Sequence, residues 1–306
     1  MAVTIEELIE HFKLEILVEG GKGKSISVSD INRPGLQIAG FYEYFGNKRV
    51  QLIGMAEWSF LDCMEEDLRR KRLNRYFKLE TPCVILSRNL EPHKEIIKAA
   101  QENGQWLLRT KLISTRFISK LTNYLDTELA PDTRLHGVLV DVYGIGILIT
   151  GESGIGKSEC ALELIKRGHR LIADDAVDIK EIDGELHGSC PYITSGMLEV
   201  RGMGIIDIPA IYGMSSVLNT KIVSLYVSLT QWNESEEYDR LGIEDQFMKV
   251  LNVPVKKITL PVRPGRNIAV ILEAAAANYR YSLNSTITPV ETINKRIEEV
   301  TKARKE

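Results

Sequence analysis

Gly151, Gly156, Lys157 and Ser158 stand in the order glycine, four residues, glycine, lysine, hydroxyl, with Gly154 inside the interval. That spacing suits phosphate. Backbone N–H groups can curl around phosphate oxygens only where glycine supplies the required dihedrals. A lysine then adds a point charge at the β and γ oxygens, and a serine hydroxyl can ligate Mg²⁺. The expected phosphate-contacting run is Gly151, Glu152, Ser153, Gly154, Ile155, Gly156, Lys157 and Ser158. Two adjacent carboxylates, Asp174 and Asp175, follow unusually soon after it. Acids this close to a phosphate grip point to phosphoryl transfer, with one carboxylate serving a metal and the other reaching an acceptor.

The flanking elements must hold that geometry. "IGILIT" before the loop is apolar and β-branched and predicts a strand. "SECALELIKRG" after it places Ala161, Leu162, Leu164 and Ile165 on a helical face and stops at Gly168. A helix from Ser158 to Arg167 is about 15 Å long. The extended stretch from His169 to Asp174 then returns ~20 Å, which brings both aspartates level with the phosphates. As strand neighbours they point to opposite faces unless a turn intervenes. Upstream, "HGVLVDVYGIGILIT" holds two apolar runs split by Tyr143-Gly144 and predicts a β-hairpin feeding the loop. With its turn near Gly144, position 136 faces position 152 across the ladder, setting His136 beside the phosphate loop. Farther on, Glu199 and Arg201 alternate and would share a strand face, while Gly202 and Gly204 admit close backbone approach. Arg263 and Arg266 flank Pro264-Gly265 just before the helix pattern "NIAVILEAAAANYR". Their guanidinium groups would lie near a helix N-terminus, suited to a second phosphate.

The rest of the chain sets the frame. Residues 1–129 alternate strand and helix signals and predict a small parallel α/β domain. Its strands are "RVQLIGM", "CVILS" and "WLLRT"; its helices are "SFLDCMEEDLRRKRLNRYF", "PHKEIIKAAQEN" and "STRFISKLTNYLDTEL", the last opened by Ser114 as N-cap. "APDTRLHG" breaks the pattern, so residues 130–306 are assigned to the phosphate-loop domain, with a mixed or antiparallel sheet. "GGKGKS" mimics the motif, but Val18 occupies its first glycine position, and the segment reads as a flexible turn. The 306 residues carry a net charge of -3, which argues against a general nucleic-acid or membrane-surface binder. Cys63, Cys83, Cys160 and Cys190 lack metal-ligand or disulfide spacing, and the acidic start "MAVTIEELIEHF" is unlike a secretion signal. A cytoplasmic protein with reduced thiols is expected.

Four ordered motifs, "LHGVLVDVYGIGILITGESGIGKSE", "LIADD", "LEVRGMGIIDI" and "PVRPGRNIAVILEAAAANYR", resemble the HPr kinase/phosphorylase family of Gram-positive bacteria. Within the loop, "GES" replaces the commoner "GDS". The resemblance implies an enzyme that phosphorylates a serine of the sugar-phosphotransferase carrier HPr, using ATP or pyrophosphate. It also implies removal of that phosphoryl group by phosphorolysis with inorganic phosphate. A catalytic domain akin to the nucleotide-binding part of phosphoenolpyruvate carboxykinase is implied as well, as are a homohexamer and Mg²⁺ or Mn²⁺ as the metal. Several members of the family respond to fructose 1,6-bisphosphate. Residue by residue, the resemblance puts His136, Lys157, Asp175 and Arg240 in the active site, with Asp175 as base in the kinase direction and acid in reverse. Ser158 and Glu199 match metal ligands. Pro261, Val262, Arg263, Pro264, Gly265 and Arg266 match a segment tied to dephosphorylation. Arg240 has no signal of its own beyond its acidic neighbours in "ESEEYDRLG".

The residues by themselves leave two other readings open. One is a small-molecule or carboxykinase-like enzyme, although the sequence offers no His/Lys/Asp cluster for an oxo-acid metal. The other is a nucleotide-gated regulator that binds a partner without transferring phosphate.

Overall fold

The computed structural model describes residues 2–233, 246–263, 265–284, 292–293, 295–297 and 300. The chain divides into two compact units, Met1–Ala130 and Pro131–Glu306.

In the first unit the strands Ile31–Asn32, Val50–Ile53, Val84–Leu86 and Leu107–Arg109 run parallel, and Glu15–Val18 pairs antiparallel with the last. Alternate residues feed two cores, one on each face of the sheet. Leu52, Ile85 and Leu108 pack with Phe117, Leu121 and Leu125. Ile53, Val84 and Leu107 pack with Tyr76, Phe77 and Ile96.

Three local expectations need correction or refinement here. The helix expected over "SFLDCMEEDLRRKRLNRYF" is two, Met55–Asp62 and Glu66–Phe77. Buried Leu73 lies twelve positions after buried Leu61, and one straight helix would set them about 120° apart; the break re-phases them. Ser114 is not the cap of its helix. Ile113 holds that position, and Ser114 instead shares a buried 2.8 Å hydrogen bond with Ser87. The glycine-rich turn near the N-terminus is anchored, because Lys24 Nζ donates to Gln105 Oε1 at 2.6 Å and to the Thr81 carbonyl at 3.2 Å.

In the second unit β1 (Asp132–His136), β2 (Val138–Val142) and β3 (Ile145–Gly151) lead into helix α1 (Lys157–Lys166). β4 (Arg170–Ala173), β5 (Ala176–Ile182) and β6 (Glu185–Ser189) follow, then the hairpin β7 (Met197–Val200) and β8 (Gly204–Asp207) with the short helix α2 (Ile208–Tyr212). The long strand β9 (Thr220–Gln231), the pair β10 (Gln246–Val250) and β11 (Val253–Val262), and helix α3 (Ile268–Ser282) complete the described elements. Among the described residues nine strands form one mixed sheet, ordered β4-β2-β3-β9-β6-β5-β1, with β11 also on β9 and β10 on β11.

β2 and β3 form the expected hairpin. Its turn residues Tyr143 and Gly144 both have positive φ, 52° and 86°, as a two-residue turn between twisted strands requires. β3 then pairs parallel with β9, which pairs parallel with β11, so all three reach the same sheet edge at their C-terminal ends. Both faces of the sheet are covered. Val138, Val140, Ile147 and Ile149 pack under Ala161 and Leu164 of α1 and Leu272 and Ala276 of α3. Leu139 and Leu148 point the other way, onto Val177, Ile179 and Leu186. Asp141, which interrupts the β2 apolar run, is buried but ion-paired with Arg170 and with Lys221, as a buried charge requires. No helix of the described residues is long and apolar enough to cross a membrane.

Candidate active site

The loop from Gly151 to Ser158 joins the end of β3 to the start of α1. Gly151 has φ 146° and lies so close to β9 that a Cβ would come within 2.6 Å of the Leu229 carbonyl oxygen. Gly156 has φ 104° and occupies the N-cap of α1. Both positions demand glycine. The loop and the first N–H groups of α1 form the positive end of a helix, a natural seat for phosphate. Lys157 is only 7% exposed; its Nζ bends back to donate to the carbonyls of Gly151 and Glu152 at 2.9 and 3.0 Å.

The two aspartates part company here. β4 returns along the sheet as the length argument requires, and a turn follows it. Asp175 has φ 66°, and the Ala176 N–H donates to the Asp174 carbonyl at 2.8 Å. This turn lets both carboxylates face one cleft. Asp174 is 5% exposed. Its Oδ1 accepts from Ser158 Oγ at 2.9 Å, and its Oδ2 accepts from the Glu199 N–H at 2.9 Å. Burial pushes its carboxyl above the ordinary carboxylate range, opposed by those two bonds, which favour the ionised form. Asp175 is open to solvent and pairs with His136, Nδ1 to Oδ1 2.9 Å.

His136 reaches the loop by a route other than the expected one. The β2–β3 ladder pairs Val138 with Ile149 at its end, whereas His136 belongs to β1, where it pairs with Ala176 of β5. It therefore arrives beside Asp175 and never faces position 152 across a ladder. The hairpin turns back one residue earlier in register than expected, and β1 peels away to a different partner.

Ser153, Gly154, Gly156, Lys157, Ser158, Asp174, Asp175, His136, Glu199 and Arg201 line one cleft of about 100 Å³. Glu199 lies on β7, but Arg201 does not share its strand; it stands in the turn after β7. From there Arg201 Nη2 donates to Ser153 Oγ at 3.0 Å, leaning over the phosphate loop. Pro261, Val262, Arg263, Gly265 and Arg266 are placed elsewhere on the same sheet edge. Arg266 Nη1 donates to the Pro261 carbonyl at 2.9 Å, and the Arg263 guanidinium lies 5.1 Å from the Trp232 ring centre. With Trp232 and Gly265 these arginines line a second depression, just before α3, whose N-terminus is capped by Asn267. Arg240 and Pro264 lie outside the described residues.

Two family models account for nearly the whole chain. "HPr Serine kinase N terminus" matches residues 3–125 and "HPr Serine kinase C-terminal domain" matches residues 127–297. The chain belongs to the HPr serine kinase family. This HPr serine kinase family member is 66% identical over 301 residues to the HPr kinase/phosphorylase of Clostridium acetobutylicum, covering 98% of this chain and 99% of that protein. It is also 66% identical over 298 residues to the HPr kinase/phosphorylase of Clostridium novyi, covering 97% of each. A solved structure, the Hpr(Ser) kinase/phosphatase from Coxiella burnetii, is 37% identical with a TM-score of 0.48, covering 50% of this chain and 93% of that one. Family membership makes the protein an enzyme, a serine kinase that transfers phosphoryl groups.

Two site residues of this family member escape a reading of spacing alone. Asp174 and Asp175 look alike in sequence, and only the Glu199 N–H and the Ser158 hydroxyl single out Asp174 as the inner carboxylate. Arg201 had a signal, its alternation with Glu199, but not one that aimed it at Ser153.

Proposed function

We propose that this enzyme phosphorylates a serine of the carrier protein HPr with ATP, and removes the phosphoryl group by phosphorolysis with inorganic phosphate. The observation that carries this reading is the division of labour between the aspartates. Asp174 is sunk against Ser158, and Asp175 stands open on His136, at one cleft with Lys157.

The buried carboxylate, the Ser158 hydroxyl and the nearby Glu199 are hard oxygen donors and suit Mg²⁺ or Mn²⁺, which take one or two carboxylates and fill the shell with phosphate and water. When bound, the metal would neutralise charge on the phosphates. The protein's own groups do the rest. Loop N–H groups and Lys157 hold the β and γ phosphates and stabilise charge on the phosphoryl group in flight. Asp175 accepts the proton of the incoming serine; the serine oxygen bonds to the γ phosphorus, and the bond to ADP breaks. In reverse, a phosphate oxygen attacks the phosphoserine, the phosphorus–serine bond breaks, Asp175 returns its proton to the serine oxygen, and pyrophosphate leaves. His136 fixes the Asp175 carboxylate in both directions.

Resemblance to the family supports pyrophosphate as an alternative donor, Arg240 as a further active-site group, Arg263 and Arg266 in phosphorolysis, a homohexamer and a cytoplasmic location. Mixing the purified protein with HPr, ATP and Mg²⁺ tests the reading by mass spectrometry. One phosphoserine per HPr is expected, and adding phosphate should reverse it with release of pyrophosphate. HPr left unmodified would favour a nucleotide-gated binding protein instead.

A further inference from the structure

The hairpin that carries Glu199 and Arg201 also carries uncovered apolar side chains. On one face of this two-stranded ladder Leu198 and Ile206 are paired and buried in the core of the unit. On the other, Glu199 pairs directly with Ile205. Directly paired residues of antiparallel strands project to the same side. Glu199 lines the cleft, so Ile205, 74% exposed, stands on the cleft side of the hairpin. Met203, 72% exposed, lies in the turn two residues after Arg201, which also lines the cleft.

We propose that Ile205 and Met203 form a docking rim for the protein substrate, receiving apolar residues beside its acceptor serine. This rests on the reading that the acceptor is a protein. A cleft of about 100 Å³ can admit phosphates and a single side chain, so the body of a folded substrate must sit on the rim outside it. A second copy of this chain fixed on Ile205 would cover Glu199 and shut the cleft. The occupant has to arrive and leave with each turnover, and the substrate protein meets that condition. A small-molecule acceptor would need no such surface.

Ile205→Asn, which removes the apolar surface without adding charge beside Glu199, tests the rim in the full chain. The KM for HPr should rise about tenfold or more, with ATP affinity, kcat at saturating HPr and oligomer mass unchanged, and Ile205→Val should behave as wild type. An unchanged KM for HPr overturns the proposal, as does a loss confined to kcat. A changed oligomer mass in light scattering would make the hairpin a subunit contact and overturn it equally. Because Ile205→Asn could fold poorly, a photo-crosslinking side chain at position 203 gives a second measurement. An adduct with HPr is expected, and its absence under conditions where HPr is phosphorylated counts against docking. If the wild-type protein transfers no phosphoryl group to HPr at all, the kinase reading fails before the rim is tested.

Discussion

Asp174 and Asp175 are chain neighbours with opposite surroundings, and that contrast has measurable consequences. The folded state raises the pKa of Asp174 through burial. A carboxyl that binds its proton more tightly when folded contributes stability below its unfolded pKa and loses it as pH rises through the folded value. At neutral pH the buried charge therefore costs stability. Asp174→Asn keeps a similar shape without the charge and should raise the melting temperature by roughly 2–4 °C, as about 1 kcal/mol does in a domain of this size. Metal-dependent phosphoryl transfer should fall about a hundredfold or more in the same variant. Calorimetry and a kinase assay check the pair; a lower melting temperature would mean that the two hydrogen bonds outweigh desolvation. Lys157→Ala should weaken ATP binding about tenfold or more, measured by titration calorimetry. Arg201 lies in the same cleft, so some affinity should survive, and the double variant should bind more weakly than either single one. The phosphate loop was legible in the sequence because glycine and lysine recur in it at a fixed spacing. The distinction between the aspartates was not, because it depends on a backbone N–H that arrives with Glu199 from β7.

At the scale of elements, the β2–β3 hairpin and α1 were legible, and pairings between distant strands were not. The β2–β3 hairpin follows from two apolar runs around Tyr143-Gly144, and α1 from its apolar face and its glycine stops. The pairing of β1 with β5 is a choice between distant strands, and nothing local in "TRLHG" announces it. The split helix of the first unit likewise follows from where Leu61 and Leu73 must point. Beside α3, Arg266 is held by the Pro261 carbonyl and Arg263 by the face of Trp232. Arg266→Ala should reduce phosphorolysis about tenfold while sparing kinase activity, read as separate rates with phosphoserine-HPr and with HPr. Equal losses would leave Arg266 as a clamp on its own turn and remove it from phosphate handling.

For the whole molecule, α3 is the informative element. Ile268, Ala269, Leu272 and Ala276 are buried, while Val270 and Tyr281 on the same helix are exposed. Beyond it Ile293, Ile297 and Val300, spaced as one helical stripe, are exposed as well. Exposed apolar side chains at helical spacing suit contact with a further surface. If the proposed homohexamer is built on this stripe, deleting the residues after 284 should lower the particle mass in light scattering and reduce HPr phosphorylation together. An intact oligomer with normal activity would assign the stripe to packing within one chain. The spacing of Ile293, Ile297 and Val300 is visible in the sequence, but a repeat of apolar residues carries no information about its partner.

The phosphate loop is strung between contacts of very different reach. On its N-terminal side β3 pairs with β2 through a two-residue turn, while on its other flank β3 must meet β9, and Asp174 must meet Glu199, from far along the chain. Near contacts close ahead of distant ones during folding. A chain released halfway through that process already owns its hairpin, yet it has neither the strand that shapes Gly151 nor the N–H that holds Asp174. ATP binding is therefore expected to return after the hairpin during refolding, and an unfinished chain is expected to transfer no phosphoryl group.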